Sequence, residues 1–348
     1  MRTSDAPNSV TSCTKRDADS FIFRLTSVCD KKCVLCCNNY DGIKTSKSAQ
    51  FDRLISKFAD ISEYYVSRKR IDITPNIFLT GGEAFLYRSA IKNGTGTLFD
   101  VIKAAIEIIP QARIIVKTGG FRSYNKHQRH LFDLIVRAYP RPVIEFRLGF
   151  NRYQDTEESA LDRFVCTVES VLSYQHFISI DTIYDKENLS NTCNTLEAGL
   201  RRMGINVEPN MLLDIVLHDP NEHRRIEIRM PQDAIILDLG PSYAPNKAAS
   251  VREYYTEPSS ACEIIDSGTS TLYYDTNLQL IHCNDSFVDA SVPSLRIGNG
   301  SISNELEFLN ERFSWLNEFI AHENVQFHSR KDRCFFCTKY VMTDAGTS

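Results

Sequence analysis

The sequence has no long apolar run. No stretch approaches the roughly 18 consecutive apolar residues of a membrane-spanning helix, and the N-terminus has no apolar core of a secretory signal. It also has no clustered excess of Lys and Arg, because 44 acidic residues outnumber 40 basic ones and give a net charge of -4. General affinity for nucleic acid would require such an excess. We therefore expect a cytoplasmic protein that binds neither membranes nor nucleic acid.

Cysteine, in contrast, is abundant. Eleven cysteines in 348 residues are many for a chain without an export signal, and in a reducing compartment they indicate metal ligands rather than disulfides. The eight histidines show no metal-ligand spacing. The remaining composition, 42% hydrophobic and 24% charged, is ordinary for a globular protein. Thiolates are therefore the expected metal ligands.

Three of these cysteines lie on one short segment. Cys29, Cys33 and Cys36 have C-x3-C-x2-C spacing and follow the apolar run 21–25. Three thiolates on one loop can hold three irons of a cubane cluster and leave the fourth iron without a protein ligand. An open coordination position is typical of a metal site that performs chemistry. We therefore expect a small molecule on the fourth iron.

Between residues 21 and 217, strand-like apolar runs alternate with segments of helical periodicity. Strands are predicted at 21–25, 77–79, 114–116, 143–150, 177–184 and 206–217. Helices are predicted at 51–65, 98–106, 131–135, 161–172 and 189–203. Six such units imply an α/β fold with a parallel sheet, right-handed crossovers and helices outside. The ligand site of such a sheet lies at the carboxyl ends of its strands.

Other polar or glycine-rich motifs also follow predicted strands. Glycines in Gly81-Gly82-Glu83 would let the backbone approach a ligand, and the carboxylate can pair with an ammonium group, although the segment alone is equally typical of a tight turn. Asn151 follows the fourth strand, near Arg147, and is equally compatible with an ordinary polar loop. Convergence of these motifs on one edge favours a shared active site.

The cysteine motif, followed one strand later by Gly-Gly-Glu, resembles the signature of the radical S-adenosylmethionine (radical SAM) superfamily. The resemblance implies an open, partial (β/α)6 barrel over 20–220 and a [4Fe-4S] cluster on Cys29, Cys33 and Cys36. Cys37 would allow C-x3-C-x3-C spacing, but the family spacing indicates Cys36. Leu35 is a mild departure, because the family usually has an aromatic residue there.

The same resemblance assigns the cofactor site. The methionine end of S-adenosylmethionine would occupy the open iron, and Gly81, Gly82 and Glu83 would hold its amino group. Asn151 becomes a candidate ligand for the ribose hydroxyls. No catalytic base or hydrogen donor can be assigned from the sequence.

The two ends of the chain differ from this pattern. Residues 1–19 are polar and are predicted to form a disordered tail. Near residue 220 the alternation gives way to charged loops and short strands, so a second module is predicted over 221–348. It should contain a hairpin of 271–274 and 278–282 around the turn 275–277, and a helix over 306–320.

This second module carries four more cysteines, Cys262, Cys283, Cys334 and Cys337. Four thiolates form a closed site that can hold zinc as readily as iron and sulfur. The order of cysteines around the hairpin resembles the auxiliary-cluster domain of radical SAM enzymes (twitch, related to SPASM), which implies a second [4Fe-4S] cluster. Asn277 replaces the glycine that this domain has in the turn, and Asn tolerates positive φ.

The resemblance implies an oxidoreductase that forms a 5'-deoxyadenosyl radical and removes hydrogen from an unactivated carbon of a peptide or natural product. The auxiliary cluster would accept an electron, so net oxidation is expected. An electron donor such as flavodoxin or ferredoxin is implied, and a separate protein could present a longer substrate. Two alternatives remain open: a redox-neutral epimerase or mutase with Cys37, Cys166 or Cys193 as hydrogen donor, and a non-catalytic two-cluster electron carrier or sensor.

Overall fold

The structure is a computed structural model that describes residues 17–30, 47–70, 73–92, 94–122, 125–141, 143–150, 157–184, 186–220, 224–230, 234–241, 268–281, 301–327 and 337. Its strands are β1 (Ser20–Thr26), β2 (Asn76–Gly81), β3 (Ser89–Ile91), β4 (Gly94–Gly96), β5 (Arg113–Thr118), β6 (Ile144–Phe150), β7 (Phe177–Tyr184), β8 (Arg224–Arg229), β9 (Ala234–Pro241), β10 (Thr271–Tyr274) and β11 (Leu280–Ile281). Its helices are α1 (Phe51–Ser67), α2 (Leu98–Ile108), α3 (Lys126–Ala138), α4 (Glu157–Ser173), α5 (Leu189–Arg202), α6 (Met211–His218) and α7 (Ile302–His322).

A mostly parallel sheet forms the centre of the molecule. Its strand order is β11-β10-β1-β2-β5-β6-β7-β9-β8, and β3 and β4 form a separate small hairpin. Pairing is parallel from β10 to β9, and β11 and β8 add to the two edges in antiparallel fashion. The predicted α/β class, its first five strands, its five helices up to residue 203 and the late helix are confirmed. Closure of this sheet into a barrel stays a prediction.

One face of the sheet packs against helices. Successive side chains of a strand point to opposite faces, and the aromatic contacts identify the helix side. Phe23 of β1 meets Phe58 of α1 edge to face, with ring centroids 5.3 Å apart, and Phe146 of β6 meets Phe132 of α3 at 5.1 Å. These rings are buried in the main apolar core. In each strand, the residues directly before and after those that face the helices therefore point to the opposite face of the sheet. We call this the inner face.

The predicted strand over 206–217 is wrong. These residues contain helix α6, Met211–His218. The Glu197 carboxylate accepts hydrogen bonds from the backbone amides of Asn210 (3.0 Å) and Leu212 (2.9 Å), which satisfies amides at the start of the helix. A short apolar run is compatible with a helix or a strand, and here a contact from α5 favours the helix. The sixth strand of the parallel series is instead β9.

The predicted hairpin is confirmed, with Tyr274 opposite Leu280. The residue with positive φ is Leu278, at 59°, rather than Asn277. The hairpin also joins the main sheet, because β10 pairs in parallel with β1. The boundary near residue 220 stays a prediction, but the sheet itself includes strands from both sides of it. The end of the predicted second strand, His282, lies outside the described residues.

Residues just before β1 are packed against α1. The Tyr65 hydroxyl donates to the carbonyl of Ala18 (2.5 Å), and the amide of Ala18 donates to the Tyr64 hydroxyl (3.0 Å). Ala18 is buried. The predicted disordered tail over 1–19 is therefore corrected at its end, while residues 1–16 lie outside the described part of the chain. None of the described helices is both long and apolar enough to cross a membrane.

A buried ionic network joins α1, β10 and α7. Lys57 Nζ lies 2.9 Å from Glu305 Oε1, and the two side chains are only 10% and 4% exposed. The Tyr274 hydroxyl donates to Glu305 Oε2 (2.6 Å), and its ring stacks on Phe23 at 5.0 Å. Burial, and then the Glu305 charge, raise the pKa of Tyr274 well above its usual value. The network connects the late helix and hairpin to the first strand–helix unit.

Candidate active site at the carboxyl ends of β1, β2 and β5

Cys29 lies three residues after the end of β1 and is half-buried. The segment that begins there returns to the same strand, because the amide of Ser27 donates to the Lys47 carbonyl (2.8 Å) and the amide of Lys47 donates to Ser27 Oγ (2.8 Å). The amide of Ala49 also donates to the Leu25 carbonyl (2.7 Å). Both ends of the cysteine-containing segment are therefore fixed at the carboxyl end of β1.

Gly81 and Gly82 let β2 approach the residues that lead to Cys29. The amide of Gly82 donates to the Thr26 carbonyl (2.6 Å), and the amide of Glu83 donates to the Val28 carbonyl (2.8 Å). A Cβ atom on Gly81 would lie 2.4 Å from the Thr26 oxygen, and one on Gly82 would lie 2.3 Å from the Val28 oxygen. Both glycines are required by close backbone packing within the protein. Their assignment to the cofactor stays a prediction.

Glu83 joins the ends of β2 and β5. Its side chain is buried, with the residue 1% exposed. Oε1 accepts a hydrogen bond from Thr118 Oγ1 (2.8 Å) and Oε2 accepts one from the amide of Gly119 (2.9 Å), while the amide of Phe85 also donates to Oε1 (3.3 Å). The carboxylate is thus held in place by the protein. Its assignment to the cofactor amino group stays a prediction.

Helix α4 holds the turn after β5. Gly120 has φ of 82°, and a Cβ atom on it would lie 2.8 Å from Thr167 Oγ1. The amide of Phe121 donates to the same oxygen (3.0 Å), and the Arg163 guanidinium donates to the Gly119 carbonyl. Thr167 and Arg163 are one helical turn apart, which places both on one side of α4. Neither residue has a sequence signal for this role, because only the distance of each from the turn after β5 marks it as part of this region.

A second connection reaches the cysteine segment from α3. Gln128 is buried, and its Nε2 donates to Asp30 Oδ2 (3.4 Å), next to Cys29. Asn125 fixes the orientation of this amide, because its Nδ2 donates to Gln128 Oε1 (2.7 Å) and its Oδ1 accepts from the Gln128 backbone amide (3.1 Å). The first turn of α3 therefore positions the start of the cysteine segment. Only the helix-capping role of Asn125 has a sequence signal.

We predict that the Gln128–Asp30 hydrogen bond, once broken by a substitution at Gln128, is restored by a second substitution at Asp30 that reverses donor and acceptor. Gln128→Glu removes the amide donor and should raise the local opening equilibrium at Asp30 about fivefold, equivalent to about 1 kcal/mol for one partly buried hydrogen bond. Combining it with Asp30→Asn restores a donor–acceptor pair with the roles reversed. Hydrogen–deuterium exchange of the peptide that contains Cys29 should be fast in the single variant and near wild type in the double variant. Equally fast exchange in both would contradict a positioning role for Gln128.

Charged side chains occupy the inner face of the sheet below this edge. Lys117 Nζ of β5 lies 3.2 Å from Asp181 Oδ2 of β7. Arg147 Nε of β6 lies 2.9 Å from Glu145 Oε1, and its guanidinium lies 5.2 Å from the centroid of the Phe78 ring. Arg147, which is close in sequence to the candidate Asn151, thus lies on the inner face. The inner face thus carries charged side chains together with apolar ones such as Phe78.

The remaining candidates divide into two groups. Cys33, Cys36, Cys37, Asn151, Cys262, Cys283 and Cys334 lie outside the described residues. Cys337 is described and buried. Within the described part of the chain, no three His, Cys, Asp or Glu side chains come together as metal ligands. The structure thus brings together Cys29, Gly81, Gly82 and Glu83.

The two other described cysteines lie in the helix layer. Cys193 of α5 is buried in the apolar core, and burial raises the pKa of its thiol to about 12. Cys166 of α4 is half-buried, and burial raises the pKa of its thiol as well. Both helices pack among the residues of the core rather than on the inner face.

The central sheet is mostly parallel and carries Cys29 after its first strand and Gly81-Gly82-Glu83 after its second. No protein-family model and no curated protein sequence matches the chain. The comparison with known proteins therefore depends on structure.

Native anSMEcpe, solved with bound AdoMet (S-adenosylmethionine), shares the fold with a TM-score of 0.50 and 11% sequence identity, over 86% of this chain and 83% of that one. SuiB of Streptococcus suis, bound to its precursor peptide SuiA, matches with a TM-score of 0.45 and 12% identity over 84% of this chain. The match spans 65% of the SuiB chain. BtrN, in complex with AdoMet and 2-DOIA, matches with a TM-score of 0.43 and 12% identity, over 92% and 93% of the two chains.

Proposed function

We propose that this protein is a radical SAM enzyme. The observation that supports the proposal most directly is the hydrogen bond from the Glu83 amide to the Val28 carbonyl (2.8 Å), which joins the Gly-Gly-Glu motif to the residue before Cys29. This contact supports the interpretation of the two motifs, which are separate in sequence, as one site at the edge where parallel sheets bind ligands. The AdoMet bound to anSMEcpe, which shares the fold, supports S-adenosylmethionine as the cofactor.

The donor set fits a [4Fe-4S] cluster. Cys29 is a half-buried thiol at a strand end, and Cys33 and Cys36 follow at a spacing that suits three irons of a cubane. A cluster held by these residues, with S-adenosylmethionine on its open iron, would supply one electron for reductive cleavage to methionine and a 5'-deoxyadenosyl radical. An external donor such as flavodoxin or ferredoxin would provide that electron.

The protein's own residues would orient the cofactor. The Glu83 carboxylate, fixed by Thr118 and Gly119, would accept a hydrogen bond from the methionine ammonium group. Its fixed position means that little conformational entropy would be lost when the cofactor binds. Asn151 would contact the ribose hydroxyls. The close backbone approach at Gly82 would set the distance between this carboxylate and the Cys29 segment.

The substrate would be a peptide or a natural product, and the net reaction an oxidation. Cys262, Cys283, Cys334 and Cys337 would form a closed set of four thiolates. If they hold a [4Fe-4S] cluster, it would be suited to accept an electron from the substrate radical rather than to bind substrate. Zinc at the same thiolates would remove this acceptor. An iron count distinguishes the two, because two cubanes need about eight irons per chain and one needs about four.

The positions of Cys166 and Cys193 favour oxidation over a redox-neutral mechanism that uses either thiol. Both belong to helices that pack in the core, so neither is placed to return hydrogen to a substrate on the inner face. Cys37 would be the remaining thiol of the three considered for an epimerase. Deuterium that enters the product from heavy water, and is lost in Cys37→Ala, would select that alternative.

Cleavage of S-adenosylmethionine tests the proposed function. The protein is reconstituted with iron and sulfide without oxygen and reduced with dithionite, and 5'-deoxyadenosine is measured by chromatography. We expect product from the wild type and background levels from Cys29→Ala, because the cluster loses one of its three protein ligands. Cys166→Ala is the matched control and should retain wild-type product. Failure of the reduced, iron-loaded wild type to form 5'-deoxyadenosine would instead favour an electron carrier or sensor.

A further inference from the structure

The register of the sheet places like charges side by side on the inner face. Lys117 of β5 is the direct neighbour of Arg147 of β6, and Asp181 of β7 is the direct neighbour of Asp238 of β9. We call these four residues the dipolar strip. Gly149 is level with Asp181 and two residues beyond Arg147, so the acidic pair lies nearer the carboxyl ends of the strands than the basic pair. On its other side, Asp238 is the direct neighbour of Arg225 of β8. The strip therefore has a basic pole at Lys117 and Arg147, and an acidic pole at Asp181 and Asp238 that Arg225 flanks.

Such an arrangement is costly for a sheet that has only structural requirements. Adjacent strands are about 4.8 Å apart, and like charges directly opposite each other destabilise a sheet. Two ion pairs involve residues of the strip. Lys117 lies 3.2 Å from Asp181, and Arg147 lies 2.9 Å from Glu145, which is outside the strip. These contacts, together with the position of Arg225 opposite Asp238, offset part of the repulsion. An apolar or alternating sequence at the same positions would avoid the cost altogether.

The strip is also accessible. The side chains of Lys117, Arg147 and Asp181 are 40%, 30% and 32% exposed. Ion pairs at this exposure contribute little to stability, so a ligand can open the Lys117–Asp181 pair at low cost. A ligand that offers an anion to Lys117 and an ammonium to Asp181 would replace one ion pair by two.

We propose that the dipolar strip selects a dipolar substrate, with an anionic group at Lys117 and Arg147 and an ammonium group at Asp181. The proposal rests on the proposed function in one respect: it places the substrate below the edge where Cys29 and Glu83 lie. Lys117 is directly followed by Thr118, the residue that bonds Glu83. The substrate class is therefore a zwitterion, such as a peptide with a terminal carboxylate and an amine, rather than a neutral or singly charged molecule.

Three matched probes test the substrate class. They are 6-aminohexanoate, which carries both charges, hexanoate, which carries only the anion, and hexylamine, which carries only the cation. Binding to the iron-reconstituted full chain is measured by calorimetry. We expect 6-aminohexanoate to bind at least about tenfold more tightly than either singly charged probe, because both poles contribute to its binding.

Two variants assign the poles. In Lys117→Met, which weakens the basic pole, 6-aminohexanoate should bind at most about twofold more tightly than hexylamine. In Asp181→Asn, which weakens the acidic pole, it should bind at most about twofold more tightly than hexanoate. Lys103→Met is the matched control, because Lys103 is also an exposed lysine in an ion pair, 3.9 Å from Glu107 on α2. It should retain the full preference. A merely structural ion pair would change stability without changing the order of the probes.

Several outcomes would overturn the proposal. Equal binding of the three probes, or no binding of 6-aminohexanoate to the wild type, contradicts a dipolar site. Loss of S-adenosylmethionine binding in Lys117→Met would assign that residue to the cofactor instead. The calorimetric test of the dipolar strip does not depend on the proposed activity, because binding of the probes requires no cleavage of S-adenosylmethionine. A protein that binds 6-aminohexanoate but forms no 5'-deoxyadenosine keeps the dipolar site and loses the proposed activity.

Discussion

Replacing Glu305 with alanine should destabilise the protein by about 3 kcal/mol, which is a large fraction of the stability of most domains. The variant leaves the Lys57 ammonium group in a buried position without its closest carboxylate, and it leaves the Tyr274 hydroxyl without its acceptor. Asp60 lies 3.6 Å from Lys57 Nζ but is itself 45% exposed, so it offsets only part of the loss. Chemical denaturation of the full chain measures the free energy of unfolding.

Two further variants separate the charge from the packing. Tyr274→Phe removes one hydrogen bond to a charged group and should cost about 1.5–3 kcal/mol. The double variant Lys57→Met, Glu305→Leu removes both charges and should recover much of the stability lost in Glu305→Ala, because buried ion pairs are often replaced by apolar residues at little cost. A loss below about 1 kcal/mol in Glu305→Ala would show that the network does not hold α7 and β10 to α1.

Replacing Gly82 with alanine should disrupt the site more than the fold. The added Cβ would lie 2.3 Å from the Val28 carbonyl oxygen, so the chain before Cys29 must move. The clash and the loss of the Glu83–Val28 hydrogen bond together should cost about 2–4 kcal/mol of stability. Because Cys29 follows Val28 directly, we expect fewer irons per chain after reconstitution and 5'-deoxyadenosine near background.

Gly204→Ala is the control for this experiment. Gly204 has φ of 78° and no atom within 4 Å of the added Cβ, so alanine there introduces backbone strain of about 1 kcal/mol without a clash. It should retain wild-type iron content and product. If Gly82→Ala behaves in the same way as Gly204→Ala, the close approach at Val28 is not what positions the Cys29 segment.

Much of the fold could be predicted from periodicity. Five strands, β1, β2, β5, β6 and β7, and the helices from α1 to α5 were predicted from the spacing of their apolar residues, and these predictions are confirmed. The exception was the run 206–217, where residues compatible with either structure form α6 because Glu197 bonds its first amides. A contact between helices decided what local spacing left ambiguous.

The candidate site was predictable only in its residue types. Cys29 and Gly81-Gly82-Glu83 were identified from their spacing and from the strand ends that precede them. In the sequence the glycines indicate a surface for a ligand, whereas in the structure they are also required for the contact with Thr26 and Val28. Such a contact depends on which strands are neighbours and in which register, and neither is recorded in local spacing.

The sequence by itself determined most element types up to residue 203 and the abundance of thiols, and it predicted the edge of the sheet where a ligand would bind. Only the tertiary structure decided that the late hairpin pairs with β1, that Glu83 bonds Thr118 and Gly119, and that Lys117 lies beside Arg147 on the inner face. The physical reason is the range of the interactions. Periodicity and glycine content reflect interactions between residues close together in sequence. Strand neighbours, register and buried hydrogen bonds depend on contacts between residues far apart in sequence.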